Sequence, residues 1–384
     1  MIIFLFFTSV NISLFNFPPI ACGEEPFTEN VKVNDDTNDA DQNNPSIAVD
    51  RNGTVYAVWE DKRKGDWDIY FAKSEDEGLT WTDPNIRINN DGSNKSQSLP
   101  AIAVDSKGNT YIVWQDERNG DSDIYFTKSE DYGDTWTDPN VKISNGSGSQ
   151  GDPAIALDLE GVIYVVWEDT RYGNLDIFFT KSEDNGSTWM AENKMVNGGE
   201  GSTQYNPTIA VDSSGTIYVA WEDLVNYDVV CAKSTDGGET WTLGLRVNDV
   251  ITNFQGNPSI AAGSAGNVYL AWQDNRNIDY DIYFAKSDDG GGNWSSPNIK
   301  INDAGTGHQQ CPAIAVSPTG TIYATWHDDR NGDKDIHFSY SINEGATWAD
   351  PNLRVNDDTT LKTQARSEER RVGKECRSRW SPYH

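Results

Sequence analysis

The stretch Ser129-Glu-Asp-Tyr-Gly-Asp-Thr-Trp136 decides the fold. Its frame is Ser, one residue, Asp or Asn, one residue, Gly, two residues, Trp. The frame returns at residues 74–81, 182–189, 234–241, 287–294 and 341–348, and successive tryptophans lie 55, 53, 52, 53 and 54 residues apart. A fixed period of that size marks a repeat architecture.

Working outward from this copy, Leu99-Pro-Ala-Ile-Ala-Val-Asp105 reads as a short apolar strand, A, followed by the turn Asp105-Ser-Lys-Gly108. Thr110-Tyr-Ile-Val-Trp-Gln-Asp116 is strand B, rich in aromatic and β-branched residues. The Asn-Gly turn in Glu117-Arg-Asn-Gly-Asp121 leads into strand C, Asp123-Ile-Tyr-Phe-Thr-Lys128. The 129–136 box then turns the chain into strand D around Val141-Lys-Ile143. Four tightly connected antiparallel strands make one propeller blade, and strands A to C are apolar on both faces, as sheets between neighbouring blades must be. The expected fold is all-β: a six-bladed β-propeller of four-stranded antiparallel blades, or a seven-bladed one cut short.

The box resembles the Asp-box, or BNR repeat, of sialidases and many other propellers, over all six repeats from roughly residue 44 to 352. The resemblance implies a hairpin between the third and fourth strands at the blade periphery, away from the catalytic face. There Asp76, Asp131, Asp184, Asp236, Asp289 and Asn343 accept turn hydrogen bonds, the Gly supplies positive φ, and the Trp packs under the turn. Asn293 replaces the usual Thr and Asn343 the usual Asp; both can still hydrogen-bond. The box is therefore a fold marker and not an active site.

A second tryptophan series, Trp59, Trp114, Trp167, Trp221, Trp272 and Trp326, ends strand B and is expected to be buried between blades. Trp67 belongs to neither series. It falls in a B–C loop, where it is a candidate ligand contact.

The D–A and B–C loops should share the face opposite the boxes. That face carries a repeated Asp (Asp61, Asp116, Asp169, Asp223, Asp274, Asp328) and, two residues later, an Arg (Arg63, Arg118, Arg171, Arg276, Arg330) replaced by Val225 in repeat 4. One reading is an arginine cluster gripping a substrate carboxylate, as the sialidase resemblance implies, with Asp61, Asp116 and Asp169 beside it. The other is an Arg–Asp pair within each blade that fixes the B–C turn, for example Arg118 with Asp121 or Asp123. Following the repeat in five blades favours the structural reading. Other features that the sialidase resemblance implies are missing: there is no Arg-Ile-Pro, and in place of a distinct Tyr–Glu nucleophile pair the prominent tyrosines Tyr56, Tyr111, Tyr164, Tyr218, Tyr269 and Tyr323 are repeat positions on strand B. Beside the repeated Asp, Glu60, Gln115, Glu168, Glu222, Gln273 and His327 are candidates for a ligand-binding face around the axial channel. His308 and His327 with Asp328 and Asp329 make a weak metal pattern, and no metal site is expected.

The formal net charge is -30, from 60 acidic and 30 basic residues, which argues against a nucleic-acid partner. The acidic D–A loops, notably residues 34–41, would suit Ca²⁺, although no defined loop signature is present and no cofactor is expected. Residues 1–23 resemble a secretory signal peptide, with Cys22 as an alternative lipid-anchored N-terminus. Asn11 and Asn16 interrupt the apolar run, so no membrane span is expected. Within the repeats, Cys231 replaces a strand-C Phe and Cys311 precedes a Pro; no bridge joins them on this reading.

The propeller is assigned to residues 30–357. Residues 30–34 read as a strand D with no blade before them, matching 353–356 at the other end, so the chain has one strand D too many. Residues 358–365 are the start of a lost repeat or a linker. From Arg366 the repeat pattern stops, and residues 366–384 resemble a translated sequencing adapter, expected to be disordered. The chain reads as an exported, cell-surface binding or scaffold module for a glycan or protein ligand. The competing reading is a sialidase-like exo-glycoside hydrolase acting on acidic glycans.

Overall fold

The computed structural model describes residues 30–356 apart from 39, 93, 200, 304 and 333. The signal-like segment, Cys22, residues 358–365 and the adapter-like tail lie outside the described residues. Six four-stranded antiparallel sheets follow one another along the chain, each with its strands in sequence order. They form a six-bladed β-propeller. Blade 2 consists of strand A (Gln97–Val104), B (Thr110–Asn119), C (Asp121–Ser129) and D (Val141–Lys142). Strands B and C of blade 1, Val55–Asp61 and Asp68–Ser74, are buried along their whole length, as apolar sheets flanked on one side or both should be.

Strand A begins two residues earlier than the sequence suggests, at Gln97, because it contains a bulge. Register slips between Ser98 and Ala101, where Leu99 takes φ 53°. The same left-handed residue precedes the strand-A proline in every blade: Asn44, Leu99, Asp152, Asn206, Asn257 and Cys311 all lie between φ 48° and 53°. In blades 2, 4, 5 and 6 the bulge turns one backbone N–H toward the preceding blade.

Apolar clusters join each blade to the next, from blades 1 and 2 to blades 5 and 6. The strand-B tryptophans are at the centre of this packing, none more than 4% exposed. The box tryptophans do not simply sit under their own turns, as the resemblance implied. Four of the six reach across to a strand-C Phe of the preceding blade: Trp136 on Phe71 and Trp189 on Phe126 with centroids 4.9 Å apart, Trp241 on Phe179 and Trp348 on Phe284 at 5.2 Å, all edge to face. Such pairs add about 0.5–1.5 kcal/mol beyond burial. In blade 4 Cys231 stands in the Phe place and packs in one cluster with Trp294. It is a buried free thiol, not bridged to Cys311, and burial pushes its pKa to about 12.

Closure by the N-terminal strand does not occur among the described residues. Blade 6 is completed by its own strand D, Leu353–Arg354. Residues 30–34 belong to none of the six sheets, yet Val33 packs with Trp81 against Ala57, Trp59, Tyr70 and Ala72 of blade 1.

A candidate ligand-binding face

Two sets of loops define two faces. The start of each B–C loop bonds to the end of the loop entering strand A: Lys62 N–H donates to the Asp41 carbonyl at 2.9 Å, and Glu117 N–H to that of Ser96 at 3.1 Å. The boxes meet the A–B turns on the other face, where the Gly290 N–H donates to the Gly266 carbonyl at 3.0 Å.

Each box is a closed hydrogen-bond unit. The Asp131 carboxylate accepts from Ser129 Oγ (2.7 Å), Thr135 N–H (2.8 Å) and Thr135 Oγ1 (2.6 Å), while Gly133, at φ 86°, donates its N–H to Ser129 Oγ at 2.8 Å. These bonds, the Thr135 hydroxyl first, hold the Asp131 pKa below the usual carboxylate value. Asn343 substitutes fully, accepting from Ser341 and Thr347 N–H and donating to Thr347 Oγ1. The repeated strand-B tyrosines belong to the same face: the hydroxyls of Tyr56, Tyr111, Tyr164 and Tyr218 donate to Asp50, Asp105, Asp158 and Asp212 of the A–B turns.

On the opposite face the repeated Asp and Arg form one unit with the strand-B Trp. The Asp116 carboxylate accepts from Trp114 Nε1 (2.8 Å), the Arg118 backbone N–H (2.9 Å), Arg118 Nε (2.9 Å) and Arg118 Nη2 (2.6 Å). Arg118 therefore pairs with Asp116, two residues before it, and not with Asp121 or Asp123. Asp121 is exposed at the start of strand C, while Asp123 takes Lys142 at 2.5 Å. The same fork joins Arg171 to Asp169 and Arg330 to Asp328, and single side-chain contacts join Arg63 to Asp61 and Arg276 to Asp274. In blades 1, 2, 3 and 5 the guanidinium also lies 3.9–4.2 Å from the ring centroid of Tyr70, Tyr125, Phe178 or Tyr283. The five arginines stay in their own blades and do not converge.

Blade 4 shows how these parts depend on each other. Elsewhere the Arg also reaches a D–A residue that is Asp or Asn (Asp35, Asn90, Asn145, Asp249, Asp303). That residue exchanges hydrogen bonds with an Asn before strand D, such as Asp249 with Asn298 at 2.7 Å in both directions. In blade 4 the Arg, its ring, its D–A partner and that Asn become Val225, Val230, Gly198 and Gly244 together.

The residues beside the repeated Asp are not an open ring around the channel. Glu60, Glu168, Glu222, Gln273 and His327 are buried, and Gln115 is half-buried. Each of four carries the acceptor for the bulge N–H of the next blade: Leu99 to Glu60 (3.0 Å), Asn206 to Glu168 (2.8 Å), Asn257 to Glu222 (3.3 Å) and Cys311 to Gln273 (3.1 Å). Burial raises the Glu60 pKa despite these bonds. These side chains are blade-to-blade couplers that sequence reasoning placed at the surface.

What varies from repeat to repeat is found at three neighbouring places: the residue before the repeated strand-C Asp (Asp123 in blade 2), the residue before strand A, and the first residues of strand A. The first place holds Trp67, Ser122, Leu175, Tyr227, Tyr280 and Lys334; the second holds Asp41, Ser96, Ser149, Thr203, Phe254 and His308. Trp67 is half-buried, with the Lys62 ammonium 5.4 Å from its ring centroid, so it is less open than expected. On blades 4 to 6 the variable residues form an aromatic run. Tyr227 meets Phe254 edge on at 6.0 Å, Phe254 meets Tyr280 at 6.0 Å, and Tyr280 meets His308 at 5.5 Å. Tyr280 N–H also donates to His308 Nδ1 at 3.2 Å. Behind this run Glu222 accepts from Asn206 Nδ2 at 3.0 Å. Burial and the nearby Glu222 carboxylate raise the Tyr280 pKa. Gly256 is required here, since a Cβ would lie 2.3 Å from Glu222 Oε2 and 2.4 Å from Phe254. This arc was missed in the sequence because none of its residues follows the repeat; the departure from the repeat was itself the available signal.

Among the described residues no group of three or more His, Cys, Asp or Glu side chains could hold a metal ion. His327 and Asp328 are buried in blade 6, apart from the loop residues His308 and Asp329. In the acidic D–A loop, Asp36 accepts from Asn38 N–H and Gln42 Nε2. No helix among the described residues is long and apolar enough to cross a membrane.

Box hairpins outside, Trp–Asp–Arg units on the other face and bulged inner strands define an Asp-box propeller. The BNR repeat-like domain family model matches residues 161–368, and the chain belongs to that family. No curated protein matches. Among solved structures, a protein of unknown function from Dyadobacter fermentans is similar at 15% identity and TM-score 0.58, over 82% of this chain and 98% of that one. An ulvan lyase of a polysaccharide lyase family is similar at 15% identity and TM-score 0.60, over 83% and 87%. A Hadza microbial sialidase follows at 17% identity and TM-score 0.52, over 79% of this chain and 66% of that one. At such identities the likeness shows the fold alone, and the fold hosts both glycoside hydrolases and lyases.

Proposed function

We propose that this chain is a non-catalytic propeller, exported to the cell surface, that binds a glycan at the mouth formed by blades 4 to 6. The observation that carries the reading is the division of labour on one face. The arginines that follow the repeat are each tied to an Asp of their own blade, whereas the aromatic residues that break it gather on a single arc. Rings such as Tyr227 and Tyr280 offer flat apolar surface to a sugar. A net charge of -30 favours a neutral glycan over a polyanionic one. Export rests on the apolar N-terminal run.

The second reading, a sialidase-like hydrolase, is favoured by one observation, the influence of the Glu222 carboxylate on the Tyr280 phenol. The resemblance implies a Tyr–Glu nucleophile pair in such enzymes. A fluorogenic sialoside assay run beside an immobilised glycan panel separates the two readings. Saturable retention of a glycan without turnover supports the binding module. Sialoside turnover that disappears in Tyr280→Phe and Glu222→Gln replaces it with the hydrolase.

A further inference from the structure

Five blades hold an arginine of their own on a buried carboxylate, and blade 4 presents the carboxylate without the arginine. In blades 1, 2, 3, 5 and 6 the Arg Nη2 donates to Oδ2 of the repeated Asp at 2.5–2.7 Å. Those five Asp residues are at most 1% exposed. Asp223 keeps their backbone frame, because the Val225 N–H donates to its Oδ1 at 2.9 Å, as the Arg118 N–H does to Asp116. The carboxylate is thus held as in the other blades. Among the described residues it makes no ion pair, and Arg246, on strand D of the same blade, pairs with Asp228 instead.

The side of blade 4 on which a guanidinium would lie is open. Asp223 and Val230 are both half-buried, whereas Tyr70, Tyr125, Phe178, Tyr283 and His337, at the Val230 place in the other blades, are all buried. Val225 is 65% exposed and Leu243 78%. A Cβ on Gly198, at the place of the Asp or Asn that the Arg reaches elsewhere, would meet nothing within 4 Å. The strand-D side has closed in. The run from Trp241 to Gly244 is one residue shorter than that from Trp136 to Asn140, and a Cβ on Gly244 would lie 2.5 Å from Val230 and 2.9 Å from Trp221. That closure keeps Trp221 covered, at 3% exposed, and leaves the carboxylate accessible.

We propose that the Asp223 side of blade 4 is a docking site for an arginine side chain of a partner polypeptide, whose guanidinium takes the place that the chain's own arginine holds in the other five blades. Blades 2, 3 and 6 show the bound geometry, with Nε on Oδ1 and Nη2 on Oδ2. A guanidinium matches that fork and tolerates apolar surface against its flat face, whereas an ammonium is a strongly hydrated point charge that cannot span both oxygens. In blade 4 the flat face would meet Val230, and the exposed Val225 and Leu243 offer apolar contact to residues flanking the arginine. A second copy of this chain is a poor partner, since its arginines of this kind are already tied to Asp and two chains of net charge -30 repel each other. A basic partner is drawn to the same surface by that charge.

The test titrates the peptide acetyl-Leu-Arg-Leu-amide into the full chain labelled with ¹⁵N and follows the backbone amide shifts. Peptides with lysine or with citrulline, which keeps the shape of arginine without its charge, run beside it. Saturable shifts centred on Val225 and Asn226 are expected with the arginine peptide. Binding of the other two should be at least about tenfold weaker, as the loss of one hydrogen bond between charged groups implies. Asp223→Asn should weaken the arginine peptide by at least about tenfold through the same loss. Val225→Arg should do so as well, by supplying the guanidinium from within, and should not lower the unfolding midpoint. It carries the test alone if Asp223→Asn folds poorly. No saturable shift with the arginine peptide, equal binding of the lysine or citrulline peptide, or undiminished binding in a folded variant would each overturn the proposal.

Discussion

The Asn206 backbone N–H donates to Glu168 Oε1 at 2.8 Å across the interface between blades 3 and 4. A carboxylate that the sequence places at a strand end beside a channel is a buried coupler between blades. Gln273 makes the equivalent bond to Cys311, so charge is not what the position needs. Glu168→Gln should therefore change stability by less than about 1 kcal/mol. Glu168→Ala strands the N–H of Asn206 and should cost about 1–3 kcal/mol. Urea unfolding of the two variants checks the contrast.

The Trp–Asp–Arg unit makes a second prediction. Asp116 is wholly buried, and Arg118 supplies three of the four donors that reach it. Arg118→Ala keeps the backbone donor but removes the guanidinium, leaving a buried carboxylate short of charge. A loss of about 2–4 kcal/mol is expected, toward the lower end because the Arg is partly exposed. Thermal unfolding measures it, and glycan retention by the folded fraction should be unchanged. Loss of retention at full stability would instead favour the carboxylate-gripping role.

Acid sensitivity should pass through blade 6. Burial, with a smaller contribution from Lys334, lowers the His327 pKa to about 3, against 6.5 for a free imidazole. The native state therefore refuses a proton that the unfolded chain accepts. The contribution is fully present above pH 6.5 and lost progressively toward pH 3, by up to about 1.4 kcal/mol per pH unit. Glu60, raised by burial, acts in the opposite sense near its own pKa, so only a paired comparison isolates the histidine. His327→Gln, the residue found at this place in blades 2 and 5, should flatten the decline in unfolding midpoint between pH 6.5 and 4.5. Equal slopes in both proteins would contradict this.

The boxes should tolerate amide for acid. Asn343 already forms a complete turn with Ser341 and Thr347, so Asp131→Asn should leave the unfolding midpoint nearly unchanged. Asp131→Ala removes every acceptor at once and should lower it measurably.

The fold was legible because its determinants repeat. Six boxes and six strand-B tryptophans state the blade number and the strand order directly. Parts of the site were legible by the same route, since the Arg–Asp pairing follows the repeat. Two things were hidden. The strand-A bulge depends on a left-handed residue before proline, which residues as different as Leu99 and Cys311 adopt, so side-chain identity did not announce it. Burial of Glu168 follows from that bulge, and a carboxylate at a strand end otherwise reads as surface. The aromatic arc was hidden for the opposite reason: Tyr227, Phe254, Tyr280 and His308 occupy equivalent places only in pairs, and their contact depends on three blades meeting.

Tyr280 is the residue on which the account of function turns, lying between Phe254 and His308 and beside Glu222. The most direct measurement is retention of the wild type and Tyr280→Ala on an immobilised glycan panel, with unfolding midpoints and sialoside turnover recorded on the same samples. The account predicts that the variant stays folded and binds at least about tenfold more weakly, as loss of a central aromatic contact does, with no turnover in either protein. Undiminished retention by the variant, or sialoside turnover by the wild type, would contradict it.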